Sequence, residues 1–177
     1  MDIGLPGKAD DENAPEKRLR FAALYEQFRR PVYLLALSIL RDSGLAEDVM
    51  QQTFLQVLEH AGSYKLGTNK KAWVMTIAHN LALNSIKKRK HETLDLDSCP
   101  EQESGLPDPD GSGDYLRAMA VLDDTERTVV TLKAVCCLRH KQIAQIAGIS
   151  VADCRAKYSR ALKKLRKHYL ENGYGKE

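Results

Sequence analysis

The sequence predicts an all-α protein of two small helical domains, an N-terminal helical bundle and a C-terminal helix-turn-helix bundle, joined by a flexible acidic linker. Apolar residues recur at helical spacing along most of the 177 residues, and no useful length of chain alternates as a strand would. Residues 92–114 contain acidic residues, prolines and glycines but no Lys or Arg, and they cannot bury enough surface to offset the entropy of ordering. We therefore assign the domains to residues 16–91 and 115–172, with the linker at residues 92–114.

The first helix of the N-terminal domain is predicted from Glu16 to Leu40. Its apolar positions repeat every three or four residues, at Phe21, Leu24, Tyr25, Phe28, Val32, Leu35 and Ile39. Pro31 lies inside this pattern. Because proline is tolerated in the first turn of a helix but not in its interior, we expect a break or a kink there.

The second helix should begin near Asp42 or Ser43, where Glu47 and Asp48 in its opening turns complement the helix dipole. Its predicted buried face comprises Ala46, Val49, Met50, Thr53, Phe54, Val57 and Leu58. Glycine, serine and asparagine residues between positions 62 and 69 then indicate a loop.

The third helix is predicted from about Lys70 to Arg89. Its inward positions are Trp73, Val74, Ile77, Ala78 and Leu81. Its more polar side holds Thr76, Asn80 and Lys87, with His79 near them. The basic residues at positions 87–90 make the exposed face cationic toward the helix end, although lysines there equally suit the C-terminal end of the helix dipole.

The C-terminal domain should start with a short helix near Tyr115, followed by a helix that Asp123 and Glu126 open with a capping box. The next helix and turn are typical of a helix-turn-helix. Ala144 is small enough for two helices to cross closely, and Gly148 can adopt the left-handed conformation of a tight turn.

A long basic helix closes the predicted helix-turn-helix. Ser150 is its expected N-cap, with Asp153 as a capping-box partner. Its inward stripe should consist of Cys154, Tyr158, Ala161, Leu162 and Leu165. In a helix-turn-helix the second helix enters the major groove with its N-terminal residues at the base edges, which makes candidates of Ala152, Asp153, Arg155, Ala156 and Ser159. Candidate phosphate contacts are Lys157, Arg160, Lys164 and Lys167. Asp153 has two open interpretations from the sequence, a contact with a base edge and a role in the helix cap.

The charge distribution indicates a polyanionic partner. The 27 Lys and Arg residues exceed the 24 Asp and Glu residues by three. One basic block spans residues 87–90 and another spans residues 155–167, with the anionic linker between them. This arrangement predicts two separate contacts with nucleic acid.

Several classes of function are not supported by the sequence. No apolar stretch is long enough to cross a bilayer, and residues 1–20 do not resemble a secretory signal, so we expect a cytoplasmic protein without membrane insertion. Cys99, Cys136, Cys137 and Cys154 lack the paired spacing of a zinc site. There is no phosphate-binding loop, metalloprotease motif or nucleophile elbow, and we expect neither enzyme activity nor a metal or cofactor.

Three segments and their order indicate a family. Residues 28–33 read FRRPVY, residues 45–55 read LAEDVMQQTFL and residues 72–82 read AWVMTIAHNLA, followed by the acidic linker and the helix-turn-helix. Together they resemble the extracytoplasmic-function sigma factors of bacterial RNA polymerase, a subgroup of the sigma-70 family. The similarity extends from Glu16 to Tyr169.

The resemblance implies roles for particular residues. Asp48, Gln51 and Gln52 match the surface that docks on the clamp helices of the polymerase largest subunit. Its usual motif, Asp-Ala-Glu-Asp followed by Gln-Glu, has lost one Asp to Leu45 and one Glu to Gln52. The residues that match the part capturing the minus-ten promoter element, including an extruded base, are Tyr64, Lys65, Lys71, Thr76, Asn80, Lys87 and Lys88.

The resemblance also implies partners for the C-terminal domain. This domain would read the minus-thirty-five element and touch the flap of the second-largest polymerase subunit, and an anti-sigma factor is a further expected partner. Two other interpretations remain open from the sequence. One is a helix-turn-helix regulator that binds symmetric sites without polymerase. The other is a sigma-like interaction protein that acts without opening promoters.

Overall fold

A computed structural model describes residues 14–60, 69–93 and 112–171 of the protein. Within these ranges the chain forms seven α-helices and no strand, which confirms the predicted all-α class. The helices are α1 (Ala14–Leu40), α2 (Ser43–Glu59), α3 (Lys70–Thr93), α4 (Ser112–Met119), α5 (Asp124–Val130), α6 (His140–Ala147) and α7 (Val151–Glu171). Most of the predicted linker, together with Tyr64 and Lys65, lies outside the described residues.

Helix α1 is continuous through Pro31, so of the expected break or kink the break does not occur. Proline removes one backbone donor from the helix interior. The residues on either side compensate, because Phe28, Val32 and Leu35 all lie in one apolar core with side chains from α2 and α3. Burial of this face on both sides of Pro31 keeps the two segments in register.

Helices α1, α2 and α3 form the N-terminal bundle. The Asp42 side chain accepts a 2.9 Å hydrogen bond from the Leu45 backbone N–H, which confirms the predicted start of α2. The predicted inner face of α2 is buried at five of its seven positions, but Met50 is only half-buried and Leu58 is exposed. Leu58 was therefore assigned wrongly, since the inward stripe of α2 is narrower than its apolar pattern.

Helices α4 to α7 form the C-terminal bundle. Asp123 and Glu126 make the predicted capping box at the start of α5, which continues into a π-helical turn at Thr131–Val135. Gly148 has the predicted left-handed conformation, with a φ of 66°. Leu162 is exposed rather than buried, because the core side of α7 centres on Cys154 and Ala161.

The two bundles pack against each other. One continuous apolar core contains Phe28, Val32 and Phe54 from the N-terminal bundle and Val129 and Cys136 from the C-terminal bundle. No helix of the described ranges is both long and apolar enough to cross a membrane. The sequence pattern predicts each bundle but contains no signal for this contact between them.

Polar contacts also join the bundles. The buried Arg127 side chain donates to the backbone carbonyl of Ser38 in α1 and, at 2.6 Å, to that of Leu122. The Tyr115 hydroxyl hydrogen-bonds both to Thr131 in its own bundle and to Ser38 across the interface. Buried backbone carbonyls of both bundles therefore find their donors in side chains of the C-terminal bundle.

Candidate nucleic-acid and protein interfaces

One face of α3 carries most of the predicted minus-ten residues. Thr76, Asn80 and Lys87 are all exposed, and their spacing of four and seven residues aligns them along the helix. The Thr76 hydroxyl donates a 2.8 Å hydrogen bond to the Ala72 carbonyl, so its oxygen remains available as an acceptor. Lys88 is exposed beside Lys87 at the C-terminal end. These residues form an open, cationic face, which we call the α3 face.

Lys71 does not lie on the α3 face. It precedes Thr76 by five residues, which turns it by about 140° around the helix. Its Nζ lies 6.0 Å from the centre of the Phe28 ring, and the side chain is half-buried. Its charge also opposes the rise in the pKa of Cys136, which belongs to the other bundle. Lys71 therefore sits beside the contact between the bundles.

His79 was expected near the polar side of α3, and this prediction is wrong. Its side chain is only 7% exposed, and its Nδ1 has no hydrogen-bond partner in the described part of the protein. Burial lowers the pKa of the imidazole, although a hydrogen bond with Asn80 opposes the shift. His79 lies one turn after Met75, whose Sδ is 3.5 Å from Cys136 Sγ, so it shares the side of α3 that faces the C-terminal bundle.

The residues predicted to dock on polymerase lie on the outer side of α2. Asp48, Gln51 and Gln52 are all exposed. Leu55 and Leu58 continue this surface by one and two turns, and half of each side chain is exposed. The apolar pattern of α2 does not identify these two leucines as surface residues. Their spacing of four and seven residues from Gln51 was the available signal.

The first three turns of α7 present the predicted base-reading residues. Ala152, Arg155, Ala156 and Ser159 are exposed and lie opposite the buried side of the helix. We call this set the α7 face. The pattern resembles a recognition helix whose first turns are free to approach base edges.

Asp153 acts in the cap of α7. The Ser150 Oγ accepts a 3.0 Å hydrogen bond from the Asp153 backbone N–H and donates one of 2.6 Å to the Asp153 carboxylate. Ser150 is thus the predicted N-cap. The Asp153 side chain binds the Ser150 hydroxyl in place of a backbone N–H, so the expected capping box is only half formed. This geometry favours the capping alternative for Asp153.

Two of the predicted phosphate-binding lysines pair with carboxylates at the start of α5. Lys164 Nζ lies 2.7 Å from the Glu126 Oε2, and Lys157 Nζ lies 3.9 Å from the Asp123 carboxylate. Burial raises the pKa of Asp123, but the Glu126 backbone N–H, Lys157 and Lys164 together bring it below its ordinary value. These lysines therefore flank the contact between α5 and α7.

Other cations of α7 point outward. Lys163 and Arg166 are exposed and continue the α7 face toward the C-terminus, whereas Arg160 lies at its edge. Lys163 and Arg166 were not chosen from the sequence, because a run of basic residues does not reveal which of them are paired. Lys167 is also exposed and lies 3.7 Å from Glu171.

The cysteines of the described ranges differ in exposure. Cys136 and Cys154 are buried, whereas Cys137 is exposed. Burial raises the pKa of the Cys136 thiol to about 12, with a smaller opposing effect from Lys71. No group of three or more His, Cys, Asp or Glu side chains in the described part of the chain is placed to hold a metal ion.

Comparison with known protein families finds two matches along the chain. Residues 24–92 match the family described as sigma-70 region 2, and residues 112–165 match the family described as sigma-70, region 4. The first match covers α2, α3 and most of α1, and the second covers the C-terminal bundle up to Leu165 in α7. The α3 face and the α7 face thus lie in different family regions.

Individual relatives agree with these matches. The chain is 32% identical over 133 residues to the RNA polymerase sigma factor CarQ of Myxococcus xanthus, which covers 72% of this chain and 76% of CarQ. It is 35% identical over 112 residues to the ECF RNA polymerase sigma factor SigK of Mycobacterium sp. strain KMS. That match covers 62% of this chain and 55% of SigK, so the chain spans about half the length of that relative.

Two solved structures share the fold. One is the sigma factor RpoE in complex with the anti-sigma factor NepR from Bartonella quintana, with a TM-score of 0.69, 23% identity and coverage of 84% of this chain and 95% of that one. The other is CnrH in complex with the cytosolic domain of CnrY, with a TM-score of 0.64, 19% identity and coverage of 92% and 94%. Because both sequences are less than 25% identical to this chain, the similarity shows a shared arrangement of helices and nothing further.

Proposed function

The chain belongs to the sigma-70 family of RNA polymerase sigma factors, in its extracytoplasmic-function group, and on this premise we propose that it binds core polymerase and directs it to promoters with minus-ten and minus-thirty-five elements. As a member of this family it is a transcription initiation factor and not an enzyme. Its contribution to initiation is binding energy, and the polymerase supplies the covalent chemistry.

One observation carries this proposal. The α3 face and the α7 face are both exposed even though the two bundles are packed together. Each face offers polar side chains beside cations, which suits contacts to bases flanked by contacts to phosphates. In this proposal the domain at residues 16–91 binds the minus-ten element and the domain at residues 115–172 binds the minus-thirty-five element.

The proposal assigns the minus-ten element to Thr76, Asn80, Lys87 and Lys88, with Tyr64 and Lys65 from outside the described residues. Extruding a base from the duplex costs a few kcal/mol in lost stacking and pairing. Contacts from residues on a rigid helix such as α3 can offset that cost, because these residues do not have to become ordered when they bind. For the minus-thirty-five element the proposal retains Arg155, Ala156 and Ser159 at base edges.

Simultaneous binding of both elements requires the bundles to separate. The elements are named for positions about 25 base pairs apart, which is about 85 Å along B-DNA at 3.4 Å per base pair. Helix α1, the longest helix described, has 27 residues and a length of about 40 Å. The packed arrangement is too small to reach both elements. We therefore propose that the packed form is a resting state that opens on polymerase.

The proposal assigns the outer side of α2 to the polymerase clamp helices and the C-terminal bundle to the flap. Exposed amides at Gln51 and Gln52 beside Asp48 can make polar contacts, and the neighbouring exposed Leu55 and Leu58 can bury apolar surface. Because polymerase acts on chromosomal DNA, we propose a cytoplasmic location. An anti-sigma factor is a proposed further partner, supported by the fold shared with the sigma factor RpoE, which was solved in complex with the anti-sigma factor NepR.

A transcription assay tests the function directly. Purified protein is added to bacterial core polymerase and a promoter library, and the transcripts are sequenced. We expect transcripts whose upstream DNA shares two elements at a constant spacing. Absence of such transcripts from folded protein would overturn the proposal. Tight binding to symmetric duplex sites without polymerase would favour a regulator, and capture of core without transcription would favour an interaction protein.

A second experiment tests the docking surface. Gln52→Glu restores the carboxylate that is usual in the family motif, and we expect tighter binding to core polymerase. Gln27→Glu adds the same charge to an exposed position on α1 and serves as the matched control. Equal effects of the two substitutions would show that net charge, and not the α2 surface, determines the affinity.

A further inference from the structure

We propose that Lys163 and Arg166 provide the phosphate contacts of α7, whereas Lys157 and Lys164 hold α7 against α5 and stay off the DNA. The proposal rests on the proposed function, because it assumes that the α7 face meets promoter DNA. It assigns a binding role to two residues outside the set predicted from the sequence, and a positioning role to two of the predicted phosphate contacts.

Lys164 pairs with the buried Glu126 of α5. Glu126 is only 3% exposed, and its Oε2 accepts a 3.1 Å hydrogen bond from the Asp123 backbone N–H in addition to the 2.7 Å contact with Lys164 Nζ. Moving Lys164 to a phosphate would leave a buried carboxylate without its cation. A buried carboxylate that loses its cation is strongly destabilised, so Lys164, whose own side chain is about half exposed, has a better partner in the protein than in DNA.

Lys157 lies on the same flank of α7. It precedes Lys164 by seven residues, or about two turns, and its ammonium lies near the Asp123 carboxylate. That carboxylate also accepts a 2.7 Å hydrogen bond from the Glu126 backbone N–H. The capping box of α5 thus supplies both carboxylates, and the two lysines fix how α7 rotates relative to α5.

Lys163 and Arg166 face the other way. Lys163 follows the buried Ala161 by two residues, a rotation of about 200°, which places it opposite the core. Neither Lys163 nor Arg166 makes an ion pair with any side chain in the ranges that the structure describes. Their charges can therefore meet a polyanion without first leaving a carboxylate.

The spacing along α7 fits the width of the DNA groove. Lys163 follows Arg155 by eight residues, which is about 12 Å along a helix axis. The major groove of B-DNA is also about 12 Å wide. When Arg155 reaches base edges at the floor of the groove, Lys163 lies far enough along α7 to reach the phosphates that border the groove, and Arg166 lies within one turn beyond it.

A matched pair of neighbouring substitutions tests the proposal. Lys163→Ala and Lys164→Ala are made in the full chain, and the affinity of polymerase carrying each variant for promoter DNA is measured across a salt series. For Lys163→Ala we expect the slope of log K against log salt to flatten by about 0.9, as for the loss of one phosphate contact. For Lys164→Ala we expect the wild-type slope together with a lower melting temperature. Arg166→Ala should behave like Lys163→Ala.

The outcomes separate this inference from the proposed function. An unchanged slope for Lys163→Ala, or equal flattening by Lys164→Ala, overturns the inference while leaving the function intact. Failure of the wild-type protein to form a promoter complex overturns the function itself. If Lys164→Ala does not fold, Lys157→Met replaces it, because its partner Asp123 is exposed and the apolar part of the side chain is retained. A wild-type slope for Lys157→Met supports the inference, and a flattened slope overturns it.

Discussion

Arg127 in α5 donates its Nε hydrogen to the backbone carbonyl of Ser38 in α1 at 3.1 Å, across the contact between the two bundles. The Arg127 side chain is only 4% exposed, and its guanidinium also bonds the Leu122 carbonyl and the Asp124 carboxylate. Burial lowers the pKa of Arg127, and Asp124 opposes this shift. One side chain thus links the start of α5 to the end of α1.

Replacing Arg127 should destabilise the packed protein. Arg127→Met removes the donors for two carbonyls, and we expect the free energy of unfolding in urea to fall by on the order of 2 kcal/mol or more. Arg117→Met is the control, because Arg117 forms an exposed ion pair with Asp114 and should cost less than about 1 kcal/mol. Equal losses for the two variants would contradict the linking role of Arg127.

Separation of the bundles should be visible by energy transfer. Dyes are attached at Glu59→Cys in α2 and Ala120→Cys after α4, two exposed positions, in a chain with Cys99→Ser and Cys137→Ser. We expect high transfer for the free protein and a clear drop when core polymerase and promoter DNA are added. A promoter complex that retains the transfer efficiency of the free protein would show that the bundles stay packed.

His79 should make stability depend on pH. Its pKa is lowered in the folded protein, so the unfolded chain, with an ordinary pKa near 6.5, binds the proton more readily. We therefore expect full stability above about pH 6.5 and a loss as pH falls toward the lower folded pKa. In urea unfolding at pH 5 to 7, His79→Gln should weaken this dependence.

A second histidine, His140, should contribute to the same pH dependence, and its variant separates the two contributions. Burial, followed by repulsion from Lys133 and Arg155, also lowers the pKa of His140, so it should contribute in the same direction. His140→Gln should remove its part, and the double variant should be least sensitive. If His79→Gln keeps the full wild-type dependence, the imidazole is not neutral and buried in the folded protein.

The cysteines should react in a set order. The thiolate is the reactive form, and burial raises the pKa of Cys136 to about 12, so brief alkylation at pH 8 should modify the exposed Cys137 and spare Cys136 and Cys154. Peptide mass spectrometry measures each site. Because Cys136 packs against Met75 of the other bundle, adding core polymerase and promoter should speed its alkylation. Rapid alkylation of Cys136 in the free protein would contradict the packed arrangement.

Local features of the fold followed from short stretches of sequence. The caps at Asp42, Asp123 and Ser150 and the left-handed turn at Gly148 appear where the pattern predicts them. Each depends on residues within about four positions, and such interactions are the same in many tertiary settings. The exposure of Asp48 and Arg155 could also be predicted, because the apolar periodicity of α2 and α7 turns these positions outward.

Other assignments failed where distant elements decide the environment. Pro31 remains helical because the core on both sides of it outweighs one lost hydrogen bond. Leu58 and Leu162 are exposed because none of the helices in the described ranges covers their side of α2 or α7. The pairing of Lys164 with Glu126 spans 38 residues, and the sequence of α7 alone does not distinguish Lys164 from Lys163.

The amino-acid sequence by itself determined the all-α class, the helices and their outward polar faces, because hydrophobic periodicity and capping act over a few residues. Only the tertiary structure decided that the two bundles share a core, that His79 is buried and that Lys157 and Lys164 pair with carboxylates of α5. The physical reason is separation along the chain: Arg127 and Ser38 lie 89 residues apart, and only folding brings donor and acceptor together.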